Sequence, residues 1–263
     1  MYEFNYHKPG SLTDAAKLLG ADEAKLVAGG MTLVPTLKQR LAKPSDLVDL
    51  ALIGSLKGIK EEGGGVTIGA MTRHAEVHRS AIVKSVIPAL AALAGLIGDP
   101  AVRNRGTIGG SVANNDPAAD YPSAVVALGA TVVTTKREIA GEAFFTGMFE
   151  TALGQDEIIT AIKFPKPQAA AYQKFRNPAS RYAIVGVFVA RTAGGVRVAV
   201  TGAGPCVFRV PEMEAALGKS FTADAIKDIA IPDDGLNSDI HASAEYRAHL
   251  VTVMARRAVA ACG

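Results

Sequence analysis

The chain has 263 residues, 49% hydrophobic and 20% charged, enough for one large domain or two ordinary ones around a sizeable core. A net charge of +3 with no long basic block, no tryptophan and only 6% aromatics exclude a nucleic-acid footprint and a base-stacking platform. Two isolated cysteines, Cys206 and Cys262, exclude an iron–sulfur cluster, a cysteine-built zinc site and a disulfide framework.

In chain order, MYEFNYHKPG shows no charged-then-apolar leader pattern, so a reducing cytoplasm is the expected setting. SLTDAAKLLG predicts a short helix, with Ser11 as N-cap, Asp14 three residues on and Gly20 at its end. KLVAGG predicts a strand running into a glycine turn. In TLVPTLKQRLAKP, Leu33, Leu37 and Leu41 fall at i, i+4 and i+8, one helix face, with Pro35 in the first turn. DLVDLA predicts another strand, which completes a parallel strand–helix–strand unit. GVTIGA is a strand, Thr72 a cap for a helix over RHAEVHRS, and a longer helix covers roughly Val83 to Ile97. Lys84, Ser85 and Pro88 interrupt the most apolar stretch, Ala81 to Gly98, so no membrane insertion is expected.

From Gly98 to Pro122 the chain is rich in Gly, Pro, Asn and Asp and shows few helix or strand signals. Long irregular stretches in compact domains are usually functional. SAVVALGATVVTT then predicts a helix followed by a strand, and REIAGEAFF and DEIITAIKFP further strands. KPQAA, Lys166 to Ala170, is the expected boundary. Beyond it AIVGVFVARTAGGVRVAVTGAG predicts a hairpin turning at Gly194-Gly195. The tail SAEYRAHLVTVMARRAVAACG predicts a helix with Tyr246, Leu250, Val253 and Met254 on one side.

Two motifs repeat one device. AGGMT, Ala28 to Thr32, and TIGGS, Thr107 to Ser111, each set a glycine pair beside small hydroxyl residues. Glycine reaches positive φ freely and permits close approach to the backbone. Successive exposed N–H groups form an anion-binding concavity, and a following helix start adds positive potential. Either motif alone also fits an ordinary turn, as Gly63–Gly65 and Gly194–Gly195 do. Together they suggest a dinucleotide, whose pyrophosphate and riboses can use two loops.

Other matches fail. GAGPCV at Gly202 lacks the third glycine of a dinucleotide fingerprint, and GKS at Gly218 lacks the start of a phosphate loop. HAEVH, with His74 and His78 at i and i+4, is not HExxH, and a solvated helix face is the expected role of both. No nucleophile is paired with a base. Asp116 is expected to cap or turn, and Asp120 to face sugar hydroxyls or cap the next helix. Arg103 and Arg105 either offset phosphate charge or are simply solvated.

LVAGGMTLVPTLKQRL, IGDPAVRNRGTIGGSVANNDPAADYPSAVVALGA and YQKFRNPASRYAIVGVFVA together resemble the FAD-binding medium subunit of the xanthine dehydrogenase and carbon monoxide dehydrogenase family, the molybdenum hydroxylases. The likeness runs over nearly the whole chain. It implies an α+β (mixed α/β) chain with a PCMH-like FAD-binding domain over 1–168, built from two α/β subdomains of about 1–54 and 55–168. A smaller α+β C-terminal domain with an antiparallel sheet follows over 169–263.

The resemblance further implies FAD as cofactor, contacted by Leu26, Val27, Ala28, Gly29, Gly30, Met31 and Thr32 in the first loop. Gly98, Thr107, Ile108, Gly109, Gly110 and Ser111 belong to the second stretch. Asp120 matches an acidic residue near the nucleotide, Lys174 a lysine close to the flavin, and Ile159 or its neighbour Ile158 an apolar backbone contact. Ile97 is aliphatic where some relatives place an aromatic ring. Some members hold an extra iron–sulfur cluster in this subunit; this chain lacks the cysteines. The molybdenum cofactor and two [2Fe–2S] clusters are expected only in partners, a large and a small subunit of a heterotrimer or its dimer. Electrons would pass from those clusters through FAD to NAD, a quinone, oxygen or another acceptor. A docking subunit that keeps the fold without FAD, and a stand-alone enzyme acting on a phosphorylated substrate, are the other readings.

Overall fold

The computed structural model describes residues 1–262. Three larger sheets follow one another along the chain, with a two-stranded hairpin beside the second.

The first unit holds β1 (Asn5–His7), α1 (Leu12–Leu19), β2 (Lys25–Val27), α2 (Leu33–Lys38) and β3 (Asp46–Asp49). Its strands are parallel in the order β1-β3-β2, the crossover arrangement expected from the alternating pattern. Ser11 caps α1 as predicted, its hydroxyl accepting from the Asp14 amide at 3.1 Å. The second helix is shorter than its leucine spacing implied. It stops at Lys38, Arg40 turns left-handed at φ 60°, and Leu41 is 74% exposed while Leu37 is 2% exposed. The apolar period therefore runs one turn past the helix.

The second unit begins with the hairpin β4 (Ile59–Glu62) and β5 (Gly65–Gly69), turning on Gly63 and Gly64 at φ 60° and 74°. Then come α3 (His74–Arg79), α4 (Ala81–Val86), α5 (Pro88–Gly95), α6 (Pro100–Arg103), α7 (Ile108–Asn114) and α8 (Tyr121–Ala127). The sheet is completed by β6 (Thr131–Thr134) and β7 (Glu138–Ala140), and later by β10 (Ile159–Pro165), in the order β4-β5-β10-β6-β7 with antiparallel pairings. Between them lie α9 (Gly141–Phe144) and the small hairpin β8 (Phe145–Gly147) and β9 (Glu150–Thr151).

Three expectations change here. The helix over Val83 to Ile97 is two helices, because Pro88 has no amide to continue the first and instead starts the second. Thr72 does not cap α3: its hydroxyl is engaged with Gly58, and Glu76 accepts from the Arg73 amide at 2.8 Å. The stretch from Gly98 to Pro122 is not irregular, since α6 and α7 lie within it, each opened by a side-chain cap from Asp99 or Thr107.

The third unit is an antiparallel sheet of β11 (Ala169–Arg176), β12 (Ala183–Thr192), β13 (Gly195–Thr201) and β14 (Phe208–Arg209), in that order. Helices α10 (Pro211–Lys219) and α11 (Ala244–Ala261) pack on it. In α11 Leu250 and Met254 are buried, whereas Tyr246 is 42% exposed. The sheet's two faces serve two cores. Tyr172, Phe188, Ala190 and Ala199 join the cluster that contains α5 and α8, while Val185, Val187, Val189 and Val198 join the one under α11. Strand alternation thus welds the third unit to the second. Among the described residues no helix is long and apolar enough to cross a membrane.

The end of α2 gives a direct test. Leu37→Ala should cost about 2–5 kcal/mol in chemical denaturation. Leu41→Ala should change stability by less than about 0.5 kcal/mol. Equal losses would mean that the helix continues through Leu41.

Candidate functional site

The turn after β2 brings AGGMT against the chain just before TIGGS. A Cβ on Gly29 would lie 2.3 Å from the Arg105 carbonyl oxygen, so the missing side chain at 29 is a packing requirement. Gly109 is bare for a like reason, its Cβ position being 2.5 Å from Ala70 Cβ. Gly30 is different: it sits at φ 73°, where a side chain is strained whatever the space.

The two motifs are not equivalent. Among the described residues, no group of the chain accepts from the amides of Gly29, Gly30, Met31, Thr32 or Leu33. That row of free donors runs into the start of α2, and Thr32 makes no capping bond. TIGGS is instead the first turn of α7, and the amides from Ile108 to Ser111 are spent. Ile108 donates to Thr72 O at 3.0 Å and Gly109 to Ala70 O at 2.9 Å. Gly110 donates to Thr107 Oγ1 at 3.2 Å, and Ser111 to Thr107 O at 3.0 Å. Gly110 is helical, not left-handed. The second motif therefore offers the Ser111 hydroxyl and a smooth glycine surface.

A cavity of about 550 Å³ opens along both motifs, within the ordinary range for a ligand site. Leu26, Ala28, Gly29, Gly30, Met31, Thr32, Gly98, Thr107, Gly109, Gly110, Ser111, Asp120 and Ile159 all line it, with Ile97 and Ile158. Val27 and Ile108 do not: both side chains are buried in core clusters behind it. Lys174 is also absent from the wall. Its ammonium lies 2.9 Å from Asp120 Oδ1 and 3.0 Å from Oδ2, and donates to Leu96 O at 3.1 Å. Its side chain is 2% exposed, which removes it from the surface lysines. Asp120 neither caps α8 nor stands free. Burial pushes its carboxyl up, and Lys174 and the Tyr172 hydroxyl, 2.5 Å away, pull it back toward the charged form.

The remaining polar groups divide clearly. Asp116 makes the expected turn, accepting from the Ala118 amide at 2.9 Å. Arg103 is half-buried and off the cavity wall; its Nη1 donates to Ile97 O at 2.9 Å and Gly98 O at 3.2 Å. Arg105 is exposed. Glu157, on the wall, is satisfied by Arg137, Thr134 and the Gly154 amide.

His74 corrects the expectation of a solvated helix face. It is 4% exposed, lines the cavity, packs at a tilt against the Tyr121 ring at 5.4 Å and leaves Nδ1 without a partner. Burial lowers its pKa to about 4, so it is neutral at pH 7. HAEVH held no signal for this, because burial of α3 is decided by the chain around Gly106, whose Cβ would lie 2.5 Å from His74 Nε2. Two non-glycine residues with left-handed backbone also reach the wall, Phe149 at φ 57° and Arg181 at φ 63°. The Asn115 side chain holds the hairpin that carries Phe149, donating to Gly147 O and Glu150 O at 2.8 and 2.7 Å. Among the described residues no cluster of three or more His, Cys, Asp and Glu side chains could hold a metal.

Two measurements check these groups. Lys174→Met leaves a buried carboxylate unpaired and should cost about 3–5 kcal/mol at neutral pH, less in acid as Asp120 takes up a proton. Adding Asp120→Asn should recover most of the loss; additive losses would deny the pair. For His74 the unfolded state binds the extra proton between the ordinary pKa of 6.5 and about 4. Stability should therefore fall as pH drops through that window, by a few kcal/mol at about 1.4 kcal/mol per unit. Asp116 and Asp120, with raised pKa values, act in the opposite sense, so the readout is the difference from His74→Asn. Parallel stability–pH curves would show that His74 is not buried neutral.

Comparison with known proteins matches residues 2–167 to the FAD binding domain in molybdopterin dehydrogenase. Residues 170–262 match the CO dehydrogenase flavoprotein C-terminal domain. The chain is 36% identical to the carbon monoxide dehydrogenase medium chain of Hydrogenophaga pseudoflava, over 97% of this chain and 96% of that one. It is 36% identical to the nicotine 6-hydroxylase medium subunit of Paenarthrobacter nicotinovorans, over 98% and 96%. Among solved structures, carbon monoxide dehydrogenase from Hydrogenophaga pseudoflava, lacking the Mo-pyranopterin moiety of the molybdenum cofactor, superposes with a TM-score of 0.90 at 38% identity, over 99% and 97% of the two chains. These matches span both parts of the chain and nearly the full length of the relatives. The chain therefore belongs to the family of FAD-binding medium subunits of the molybdenum hydroxylases, which are oxidoreductase subunits.

Proposed function

We propose that this chain binds one FAD in the 550 Å³ cavity and works as the electron-transfer subunit of a molybdenum-containing hydroxylase or dehydrogenase. The observation that carries this reading is the row of free amides from Gly29 to Leu33 around a left-handed Gly30. A pyrophosphate needs donors, and the charged side chains on the wall supply few: Lys25 and Arg181 are the cationic ones. Backbone N–H groups of that kind bind anions without a compensating charge. The apolar remainder of the wall, with Leu26, Leu50, Ile97 and Val102, suits flat rings. Leu26, Ala28 to Thr32, Gly98, Thr107, Gly109 to Ser111, Asp120 and Ile159 would contact the cofactor directly. Val27, Ile108 and Lys174 would support it from behind. The chain would divide at 166–170 into the FAD-binding part and the C-terminal part; the last residue of the latter, Gly263, lies outside the described residues.

Bound FAD supplies the redox chemistry, taking electrons and passing them on. The chain's own groups bind it, orient it and keep its surroundings apolar. The molybdenum cofactor and the [2Fe–2S] clusters would belong to a large and a small partner subunit. NAD, a quinone or oxygen would then take the electrons. A docking subunit without FAD is the other reading, and the unused amides of the first loop speak against it.

An absorbance spectrum of the purified chain, with heat release of any yellow ligand, should show FAD near one per chain. A colourless protein that also fails to bind added FAD would favour the docking subunit. Gly30→Val forces a β-branched residue to positive φ and should weaken FAD binding by at least about tenfold while the chain stays folded. Full FAD content in that variant would remove the first loop from the site.

A further inference from the structure

One glycine stands where a strand should not want it. Gly186 lies in the middle of β12, where Ala183 to Ala190 are all buried. A glycine there weakens a strand and gives nothing to the core. Its backbone is not left-handed, so conformation does not explain it. The explanation is across the sheet. A Cβ on Gly186 would lie 2.3 Å from the Tyr172 hydroxyl oxygen, 2.9 Å from Thr201 Cγ2 and 3.0 Å from Tyr172 Cε2. Gly186 pairs with Lys174 in the ladder, and Tyr172 is two residues before Lys174 on the same face of β11. The space left by the glycine is filled by the tyrosine hydroxyl on its way to Asp120 Oδ1, 2.5 Å away.

We propose that Tyr172, given room by Gly186, is a positioning residue for the cofactor site: with Lys174 it fixes the Asp120 carboxylate in the orientation presented to the cavity. The inference rests on the FAD reading above. A carboxylate offers about four lone-pair sites. Tyr172 takes one on Oδ1 and the Lys174 ammonium one on Oδ2, with its nitrogen also 2.9 Å from Oδ1, and the amide of Asp120 itself reaches the carboxylate. One remains for an N–H or O–H donor of the bound cofactor. Tyr172 and Lys174 do not line the cavity and Asp120 does, so both act on the cofactor through Asp120. Without Tyr172 the carboxylate is held by Lys174 alone and is free to turn about that single partner.

The test uses the full chain and FAD itself, titrated by flavin fluorescence, with the flavin midpoint potential measured on the loaded protein. The unmodified chain comes first. Tyr172→Phe keeps the ring and removes only the hydroxyl; it should weaken FAD binding by about tenfold or more and shift the potential. Gly186→Ala should weaken binding at least as much by displacing that hydroxyl. Because Thr201 Cγ2 is also close, the glycine series is made with Thr201→Ser, which keeps the hydroxyl that bonds Pro117 O and Ala119 O. There, adding Tyr172→Phe to Gly186→Ala should bring binding back to the level of Tyr172→Phe alone. Binding within about twofold of the unmodified chain and an unchanged potential in Tyr172→Phe would overturn the inference. So would a Gly186→Ala defect that Tyr172→Phe leaves in place. If Gly186→Ala does not fold, Tyr172→Phe alone decides. If the unmodified chain takes up no FAD at any concentration, the flavin reading fails and takes this inference with it.

Discussion

A buried carboxylate ties the second and third units to one another at the wall of the cavity. Asp120 comes from the start of α8 in the second unit, and its partners Lys174 and Tyr172 from β11 in the third. A carboxylate in such a place is costly unless it is paired and hydrogen-bonded. Here it has an ammonium and a phenol, and the ammonium is tied in turn to Leu96 O at the end of α5. Three elements thus meet at one charge. The apolar packing of Tyr172, Phe188 and Ala199 against α5 and α8 surrounds it and keeps water away.

The cavity follows from that junction and from one further contact, the approach of the first glycine loop to the chain before α7. Gly29 has no room for a side chain beside Arg105, so the loop and α7 share a wall. The donors of the two motifs are then distributed unequally. α7 spends its first amides on Thr72, Ala70 and Thr107 to fix its own position. Among the described residues the loop from Gly29 to Leu33 spends none. One motif is already spent within the fold and the other is not, although as strings they look alike.

This arrangement suits a subunit whose chemistry is carried by its cofactor. Its titratable groups near the cavity are mostly consumed: Asp120 by Lys174, Glu157 by Arg137, Arg103 by backbone carbonyls. His74 is neutral. A site with a row of free amides and few unpaired side chains suits a cofactor that carries its own redox chemistry and needs no acid or base from the protein.

Much of this was legible in the chain alone. Local signals placed α1 with its Ser11 cap, the β4–β5 and β12–β13 hairpins, and the strand–helix–strand unit, because caps, glycine turns and apolar periods act within a few residues. The glycine pairs marked the cavity for the same reason. What tertiary structure alone decided are the pairings between distant segments. Nothing local says that Leu41 is exposed, that His74 is buried under Gly106, or that the amides from Ile108 to Ser111 are already taken. Nor could the spacing show that Lys174 reaches the cavity only through Asp120. Tyr172 and Lys174 share one face of β11, but their partner lies more than fifty residues away in sequence. Local periodicity determines which face a residue occupies; only the folded chain decides what that face meets.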